Sequence, residues 1–232
     1  MAELRPEAVI FDFDGVLVDS EPAHYRAFQA VLAPMGLGYD WSQYQDHFMG
    51  FDDRDGFREA FRVAGREAPG AEELADLIRA KTAAFEAEMR AGLEPIPGAV
   101  DCVHRLADYP RAVCSGALRS EVVPTLAALG IQASVQAVVT ADDVARSKPD
   151  PESYDRARRA LEAAFARVLP PERCVAIEDT PTGAASARDA GLAVIGLTAE
   201  GQPGPVGAHC TVTAMDAITP AVLGQALAAV SA

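Results

Sequence analysis

An α/β fold is predicted by three features of this 232-residue chain. In this fold helices flank a parallel sheet, and one all-helical segment interrupts the alternation of strands and helices. Short apolar runs rich in Val or Ile recur, as expected for strands buried on both faces of a parallel sheet. Segments of helical periodicity follow most of these runs, which is typical of a Rossmann-like arrangement. One long stretch near the start, however, shows helical patterns alone.

Five apolar runs are predicted to be the strands, and they occupy residues 9–13, 112–115, 138–140, 175–177 and 194–197. The helices between them have recognisable ends. Apolar residues repeat at helical spacing from Leu118 to Leu129, and Gly130 then stops that helix. Asp150 followed by Pro151, and Thr180 followed by Pro181, are typical of helix starts.

The helical stretch predicts a second domain. Between residues 18 and 93 no convincing strand is present, and three apolar helical faces follow one another: Tyr25, Phe28 and Leu32; Phe57 and Phe61; Leu74, Leu77, Ile78, Phe85 and Met89. A stiff turn-rich segment, Glu-Pro-Ile-Pro-Gly at residues 94–98, follows. We therefore expect an α/β core domain at residues 1–17 and 94–232 and a helical cap domain at residues 18–93, inserted where open α/β sheets bind ligands.

Composition excludes several classes of protein. With 34 acidic against 20 basic residues the net charge is −14, which disfavours binding to nucleic acid. No stretch reaches the ~18 apolar residues needed to span a membrane, and Glu3 and Glu7 make the start unlike a signal peptide. The four cysteines are far apart and form no CxxC pair, so buried free thiols and a cytoplasmic location are expected.

The segment Asp12-Phe13-Asp14-Gly15, at the end of the first predicted strand, is the most informative. One interpretation is an Asp-rich turn with no further role. The functional interpretation is that the spacing of two sends both carboxylates to one side, towards a cation and a substrate. One carboxylate could then attack the substrate while its neighbour handles protons.

Three more polar groups follow later strands. Glu178 and Asp179 offer the oxygen ligands that Mg²⁺ prefers. Lys148 is one of only two lysines among 20 basic residues, which favours a role for a compact ammonium group over a solvated loop position. Ser115 and Gly116 could hold a phosphate through a hydroxyl and unhindered N–H groups, although Ser-Gly is also common in turns.

Asp-x-Asp-Gly, Ser-Gly, Lys-Pro and Glu-Asp thus each follow a strand in turn, and this order resembles the haloacid dehalogenase-like (HAD) superfamily of phosphotransferases. The resemblance covers nearly the whole chain. The helical insertion, with His24 near its start, is similar to the cap of the β-phosphoglucomutase and phosphoglycolate phosphatase group.

That resemblance implies an Mg²⁺-dependent phosphatase acting on a small phosphorylated metabolite. Asp12 would attack phosphorus to form an aspartyl-phosphate, and Asp14 would serve first as acid and then as base. The Asp12 carboxylate, the Asp14 main-chain carbonyl and Asp179 would hold Mg²⁺, with Glu178 binding directly or through water. Lys148 would offset the remaining negative charge.

The resemblance also implies substrate contacts. Ser115 and Gly116 would orient the phosphoryl oxygens. Arg54 would reach the substrate from the cap, or would be an ordinary surface arginine. His24 would be a hinge or substrate donor, or a buried histidine on a helix face.

A sugar phosphomutase is the main alternative. Its cap loop resembles Gly-x-Ser-Arg, whereas residues 50–55 read Gly-Phe-Asp-Asp-Arg-Asp, and its Ser-Lys-Asn is replaced here by Gly-Ala-Leu at residues 116–118. Within residues 48–57 three acids oppose the single base Arg54, which weakens the grip on a second phosphate. Hydrolysis is therefore the prediction.

Three further alternatives are weaker. A dehalogenase needs no Mg²⁺ and no second acid, which Asp14 and the pair Glu178 and Asp179 count against. A phosphonate hydrolase would resemble one with an imine-forming cap lysine, for which Lys81 is the available residue, and imine formation needs a desolvated amine. A non-catalytic binding protein of the superfamily would have little use for the intact acids and Lys148.

Overall fold

The computed structural model describes residues 4–49, 51 and 53–230. The chain forms two compact units. The core unit comprises the described residues up to Asp19 together with those from Glu94 onward, and the helical unit spans Ser20–Leu93. No helix of the described residues is long and apolar enough to cross a membrane.

The strands all belong to the core unit. The central strands consist mainly of apolar residues, and the side chains of the first strand are buried on both faces of the sheet. In chain order the strands of the described residues are β1 (Ala8–Phe11), β2 (Val18–Asp19), β3 (Glu94–Pro95), β4 (Arg111–Cys114), β5 (Ala137–Val139), β6 (Cys174–Glu178), β7 (Ala193–Leu197) and β8 (Cys210–Val212).

Six of these strands form one parallel sheet in the order β5-β4-β1-β6-β7-β8. Strand β1 lies in the interior of the sheet, and its Ile10 pairs with Ala112 on one side and Ala176 on the other. Because all six strands run the same way, their carboxyl ends share one edge. The short strands β2 and β3 form a separate antiparallel ribbon.

In the part of the helical unit that the structure describes, the α-helices are α1 (Glu21–Leu32), α2 (Trp41–His47), α3 (Asp53–Val63) and α4 (Ala71–Ala91). Their apolar faces enclose an aromatic cluster, in which the rings of Phe28 and Phe57 lie 5.1 Å apart and those of Tyr39 and Phe48 lie 3.9 Å apart. The start of α2 is fixed by Asp40, whose carboxylate accepts the Gln43 N–H at 2.8 Å.

The α-helices among the described residues of the core unit are α5 (Ala99–Arg105), α6 (Arg119–Ala128), α7 (Glu152–Phe165), α8 (Pro181–Asp189) and α9 (Pro220–Val230). Tyr154 and Leu161 of α7 and Ala187 of α8 pack into one apolar cluster with β1, β4 and β6. Thr180 caps α8 by accepting the Gly183 N–H at 3.1 Å, as the sequence predicts.

The predicted α/β fold with an all-helical insertion is confirmed. The five predicted strands correspond to β1, β4, β5, β6 and β7, each within two residues of its predicted bounds. The sequence missed β8 and the ribbon of β2 and β3, and the expectation of no strand from Val18 onward is wrong for β2. These strands have two or three residues each, too few to show a periodic apolar pattern.

Two smaller expectations also differ from the structure. Helix α7 begins at Glu152, one residue later than predicted, although the Asp150 carboxylate does accept the Glu152 N–H at 3.0 Å. All four cysteines are free, as expected, but Cys210 on the sheet edge is only partly buried.

Candidate active site

Polar side chains that follow three strands, β1, β5 and β6, meet at the carboxyl edge of the sheet. Asp12 follows β1 directly, Glu178 is the last residue of β6, and Asp179 follows it. Lys148 comes from the loop after β5. The structure therefore brings together four of the residues that the sequence singled out, all of them in the core unit.

Lys148 links these groups. Its Nζ lies 2.6 Å from Asp12 Oδ1 and 2.6 Å from Glu178 Oε1, and 3.3 Å from the Cys114 carbonyl oxygen at the end of β4. Burial alone would lower the pKa of Lys148, but the neighbouring negative charges, Asp12 foremost, outweigh burial and raise that pKa. The ammonium is therefore charged and holds Asp12 and Glu178 side by side.

The carboxylates carry more negative charge than one lysine can balance. Burial, together with the charges of Glu178 and Asp179, raises the pKa of Asp12 well above its usual value in spite of Lys148. Burial and the charge of Glu178 raise the pKa of Asp179 to about 7. Such a site favours the binding of either protons or a further cation.

A divalent cation fits these residues. Asp12, Glu178 and Asp179 each offer one carboxylate oxygen, and the three oxygens lie within 4.8 Å of one another. The Oδ1 atom of Asp179 is buried without a hydrogen-bond partner, which is costly unless a ligand takes it up. An all-oxygen donor set suits a hard cation such as Mg²⁺.

Glu178 is completely buried and held by several donors. Its Oε1 accepts hydrogen bonds from Lys148 and, at 2.8 Å, from the Tyr154 hydroxyl. Its Oε2 accepts from the Asp179 N–H at 3.2 Å and from Thr180, through the N–H at 3.2 Å and the hydroxyl at 3.1 Å. This carboxylate is thus fixed by the protein itself. Sequence reasoning missed Tyr154 entirely.

Two glycines let the backbone approach these acids. Gly15 has a φ of +74°, and a Cβ atom there would overlap the Asp179 carboxylate. A Cβ atom at Gly183 would overlap the Glu178 carboxylate. The site therefore requires glycine both at Gly15, after Asp-x-Asp, and at Gly183, in the first turn of helix α8.

Asp14 lies half-buried in the turn after β1, where it forms a single bridge to Val18. Its charge contributes to the raised pKa of Asp179, which places the two acids near each other. Ser115 is buried at the end of β4, where its hydroxyl accepts the Ala117 N–H at 2.9 Å. Gly116, next to it, is exposed.

The predicted substrate contacts of the insertion belong to the helical unit. Arg54 is exposed in the first turn of α3. His24 is half-buried on α1, where its ring stacks on Phe85 with centroids 4.1 Å apart and its Nδ1 lies 2.8 Å from Lys81 Nζ. Burial and the charge of Lys81 lower the pKa of His24 to about 3, so the ring is neutral. Gly50 and Asp52 lie outside the described residues.

A cavity of about 420 Å³ adjoins Asp179 within the core unit. Gly15, Pro97, Leu197, Thr198, Gln202 and Met215 are among its lining residues. Its walls are mostly apolar side chains, and the hydroxyl of Thr198 and the amide of Gln202 are the polar groups among those named. The carboxylate cluster thus opens on space large enough for a small molecule.

Comparison with known proteins relates this site to phosphate chemistry. Residues 9–197 match the family model for haloacid dehalogenase-like hydrolases. A validoxylamine A 7′-phosphate phosphatase of Streptomyces hygroscopicus subsp. limoneus is 32% identical over 196 residues, which cover 83% of this chain and 85% of that protein. A fructose-1-phosphate phosphatase of Escherichia coli (strain K12) is 32% identical over 189 residues, which cover 81% and 94%.

A solved structure is similar over nearly its full length. It is the crystal structure of a HAD family hydrolase from Deinococcus radiodurans R1 with bound phosphate and sodium. The TM-score is 0.76 at 30% sequence identity, and the match covers 97% of this chain and 98% of that one.

Proposed function

The chain belongs to the haloacid dehalogenase-like hydrolase family and is a phosphoric monoester hydrolase, and from that premise we propose that it hydrolyses a small sugar-phosphate-like monoester through an aspartyl-phosphate on Asp12. The observation that carries the proposal is the placement of Lys148 between Asp12 and Glu178, next to the unpartnered oxygen of Asp179. An anionic nucleophile held by a cation, beside room for a second cation, suits attack on a phosphate.

The reaction proceeds in two steps at phosphorus. In the first, an Asp12 carboxylate oxygen bonds to phosphorus, the bond to the leaving oxygen breaks, and Asp14 gives that oxygen its proton. In the second, Asp14 takes a proton from water, whose oxygen bonds to phosphorus and releases inorganic phosphate from Asp12. Lys148 offsets the charge of the transferred group, and Ser115 and Gly116 orient its oxygens.

Mg²⁺ is the cation that we assign to the carboxylate cluster. Asp12, Asp179 and the main-chain carbonyl of Asp14 would hold it, with Glu178 binding directly or through water. When bound, it reduces the repulsion between the Asp12 carboxylate and the phosphate.

Support for a sugar-phosphate-like substrate comes from the relatives. Two of them are named as phosphatases of fructose 1-phosphate and of validoxylamine A 7′-phosphate. We assign the role of cap domain to the helical insertion, residues 18–93, and of substrate contacts to Arg54 and His24. The partner of the enzyme is then a small phosphorylated metabolite.

Hydrolysis is favoured over mutase chemistry by the state of Lys81. This lysine is buried, and its Nζ lies 2.6 Å from Asp53 Oδ1. The Asp53 carboxylate offsets the positive charge of Lys81, which leaves less net positive charge in the helical unit to hold a second phosphate. Asp53 and Asp55 also surround Arg54 in the first turn of α3 with negative charge.

A turnover screen over phosphate monoesters with Mg²⁺ tests the proposal. It includes fructose 1-phosphate and β-glucose 1-phosphate, and it follows both inorganic phosphate and glucose 6-phosphate. We expect phosphate release from at least one sugar phosphate and little glucose 6-phosphate. Glucose 6-phosphate forming faster than phosphate would establish the mutase instead, and no turnover of any monoester would favour a binding protein.

A further inference from the structure

Tyr154 is a buried polar residue that the reaction above does not use. It lies in the first turn of α7 and is completely buried. Its hydroxyl donates to Glu178 Oε1 at 2.8 Å and lies 3.5 Å from Lys148 Nζ, and that ammonium lies 4.9 Å from the centre of its ring. The tyrosine therefore contacts both the cation and one of the anions of the site.

Lys148 has no spare donor in this arrangement. An ammonium group has three N–H donors. The three nearest acceptors around the Nζ of Lys148 are Asp12 Oδ1 at 2.6 Å, Glu178 Oε1 at 2.6 Å and the Cys114 carbonyl at 3.3 Å, and the Tyr154 hydroxyl oxygen follows at 3.5 Å. A phosphoryl oxygen would be one acceptor more than the ammonium can serve, so Lys148 must give up one of its short bonds to donate to a phosphate.

Glu178 is the acceptor that loses least by such an exchange. Its Oε1 retains the Tyr154 hydroxyl, and its Oε2 retains the donors of Asp179 and Thr180. Asp12, by contrast, has to stay aligned as the nucleophile. Without the tyrosine hydroxyl, Oε1 would depend on Lys148 alone among these donors, and a buried carboxylate oxygen that loses its donor is costly.

We propose that Tyr154 is a positioning residue for phosphate binding, whose hydroxyl holds Glu178 while Lys148 turns one N–H from Glu178 to a phosphoryl oxygen. The inference rests on the proposed function, because it takes Lys148 to be the residue that binds the phosphoryl group. Tyr154 itself touches neither substrate nor metal in this scheme.

The Tyr154→Phe variant tests the proposal, because it removes the hydroxyl and keeps the ring. Isothermal titration with inorganic phosphate in the presence of Mg²⁺ should show affinity lower by about tenfold, as expected for a hydrogen bond to a charged group. KM for a hydrolysed monoester should rise by a similar factor, with kcat within about threefold of the wild type. The affinity for Mg²⁺, titrated without phosphate, should change by less than about twofold, since the Asp12 and Asp179 carboxylates stay in place.

Tyr109→Phe is the matched control. Tyr109 is also a buried tyrosine of the core unit, but it precedes β4 and so lies at the opposite edge of the sheet. The phosphate affinity of the Tyr109→Phe variant should equal that of the wild type. In a Glu178→Gln background, Tyr154→Phe should change phosphate affinity by less than about twofold, because the two residues act as a pair.

Three results would overturn the inference. One is unchanged phosphate affinity in Tyr154→Phe, and another is a full effect of that substitution in the Glu178→Gln background. The third is an equal loss of phosphate and Mg²⁺ affinity, which would show a general loosening of the site. If wild-type protein binds phosphate as described but hydrolyses no monoester, the proposed function fails while the inference stands.

Discussion

The two lysines of the chain occupy surroundings that look alike but differ in charge balance. In the core unit, Lys148 Nζ lies 2.6 Å from both Asp12 and Glu178. In the helical unit, Lys81 Nζ lies 2.6 Å from Asp53 and 2.8 Å from His24. Both side chains are largely buried, with 14% and 4% of their surface exposed.

The number of charges around each lysine is what differs. Three carboxylates face Lys148, and their mutual repulsion in a buried site contributes to the raised pKa values of Asp12 and Asp179. Among the residues that the structure describes, one carboxylate, that of Asp53, pairs with Lys81. The ring of His24, which also contacts Lys81, is neutral because burial and Lys81 lower its pKa to about 3.

This difference separates a reactive cluster from a structural one. An excess of buried negative charge leaves the Lys148 cluster in need of a further cation, which is a property of active sites rather than of cores. The Lys81 cluster is balanced, and it ties together α1, α3 and α4 through His24, Asp53 and Lys81. We therefore expect substitutions in the first cluster to change turnover, and substitutions of Asp53 or Lys81 in the second to change stability.

The largest effect is expected for a matched pair of substitutions in which each lysine loses one carboxylate partner. Asp12→Asn removes the nucleophile and a metal ligand, so kcat should fall at least about a thousandfold while circular dichroism remains that of a folded protein. Asp53→Asn should keep kcat within about tenfold and lower the melting temperature instead. Loss of turnover in a well-folded Asp53→Asn protein would show that the helical cluster is catalytic and would end the distinction.

The next effect is the metal requirement. Activity should vanish in excess chelator and return with Mg²⁺, since the three clustered carboxylates need a cation. Asp179→Ala should raise the Mg²⁺ concentration at half-maximal activity by about tenfold or more, because one of few ligands is lost. Asp55→Ala, which removes an exposed acid of α3, serves as the control and should leave that concentration unchanged. Full turnover in chelator would contradict the assignment of the cluster as a metal site.

Much of the reactive cluster could be predicted from the sequence, because its members follow strands. Asp12, Glu178 and Asp179 lie just after, or at the end of, an apolar run, and Lys148 lies in the loop that follows another. Parallel strands bring such ends to one edge. The strands themselves were recognisable because burial on both faces requires continuous apolar residues.

The structural cluster and Tyr154 could not be predicted in the same way. Their contacts join helices to distant residues: Tyr154 and Glu178 are separated by 24 positions, and Lys81 and His24 by 57. Helical periodicity shows which face is buried but not which partner a buried polar group meets. His24 accordingly fits two interpretations at the sequence level, and the sequence suggests imine chemistry for Lys81 but not its contact with Asp53.

A smaller effect concerns the stability of the helical unit. Lys81→Met keeps the apolar stem and removes the ammonium, which leaves Asp53 without its buried partner. We expect a loss of about 2 kcal/mol in the free energy of unfolding, less than the ~3–5 of a fully buried pair because Asp53 is partly in water. The melting temperature should fall by roughly 4–8 °C.

A thermal melting curve of each variant at one pH measures this difference. Arg58→Met, which breaks the exposed pair of Arg58 with Asp55, is the matched control on α3 and should change the melting temperature little. Equal losses for the two variants would mean that burial gives the Lys81 pair no special weight.

The smallest expected effect is the dependence of the core unit's stability on pH in the absence of bound metal. The pKa of Asp179 is raised to about 7 in the folded protein, against 3.8 as its ordinary value. Between these two values the folded state holds a proton that the unfolded state has released. The contribution of Asp179 to the free energy of unfolding is therefore complete below about pH 4 and is lost as the pH rises to about 7. Asp12, whose pKa is also raised, acts in the same direction.

Mg²⁺ should reverse this loss, because it binds the deprotonated carboxylates and so takes the place of the protons. Melting curves with and without MgCl₂ should differ by a few degrees at pH 8 and by much less at pH 5, where protons compete for the same oxygens. Asp179→Asn should show a small magnesium shift at both pH values, whereas Lys81→Met should keep the wild-type pattern because its cluster lies in the helical unit. A magnesium shift as large at pH 5 as at pH 8 would mean that Asp179 is already ionised in the acidic range, and the charge excess that distinguishes the Lys148 cluster from the Lys81 cluster would then be absent.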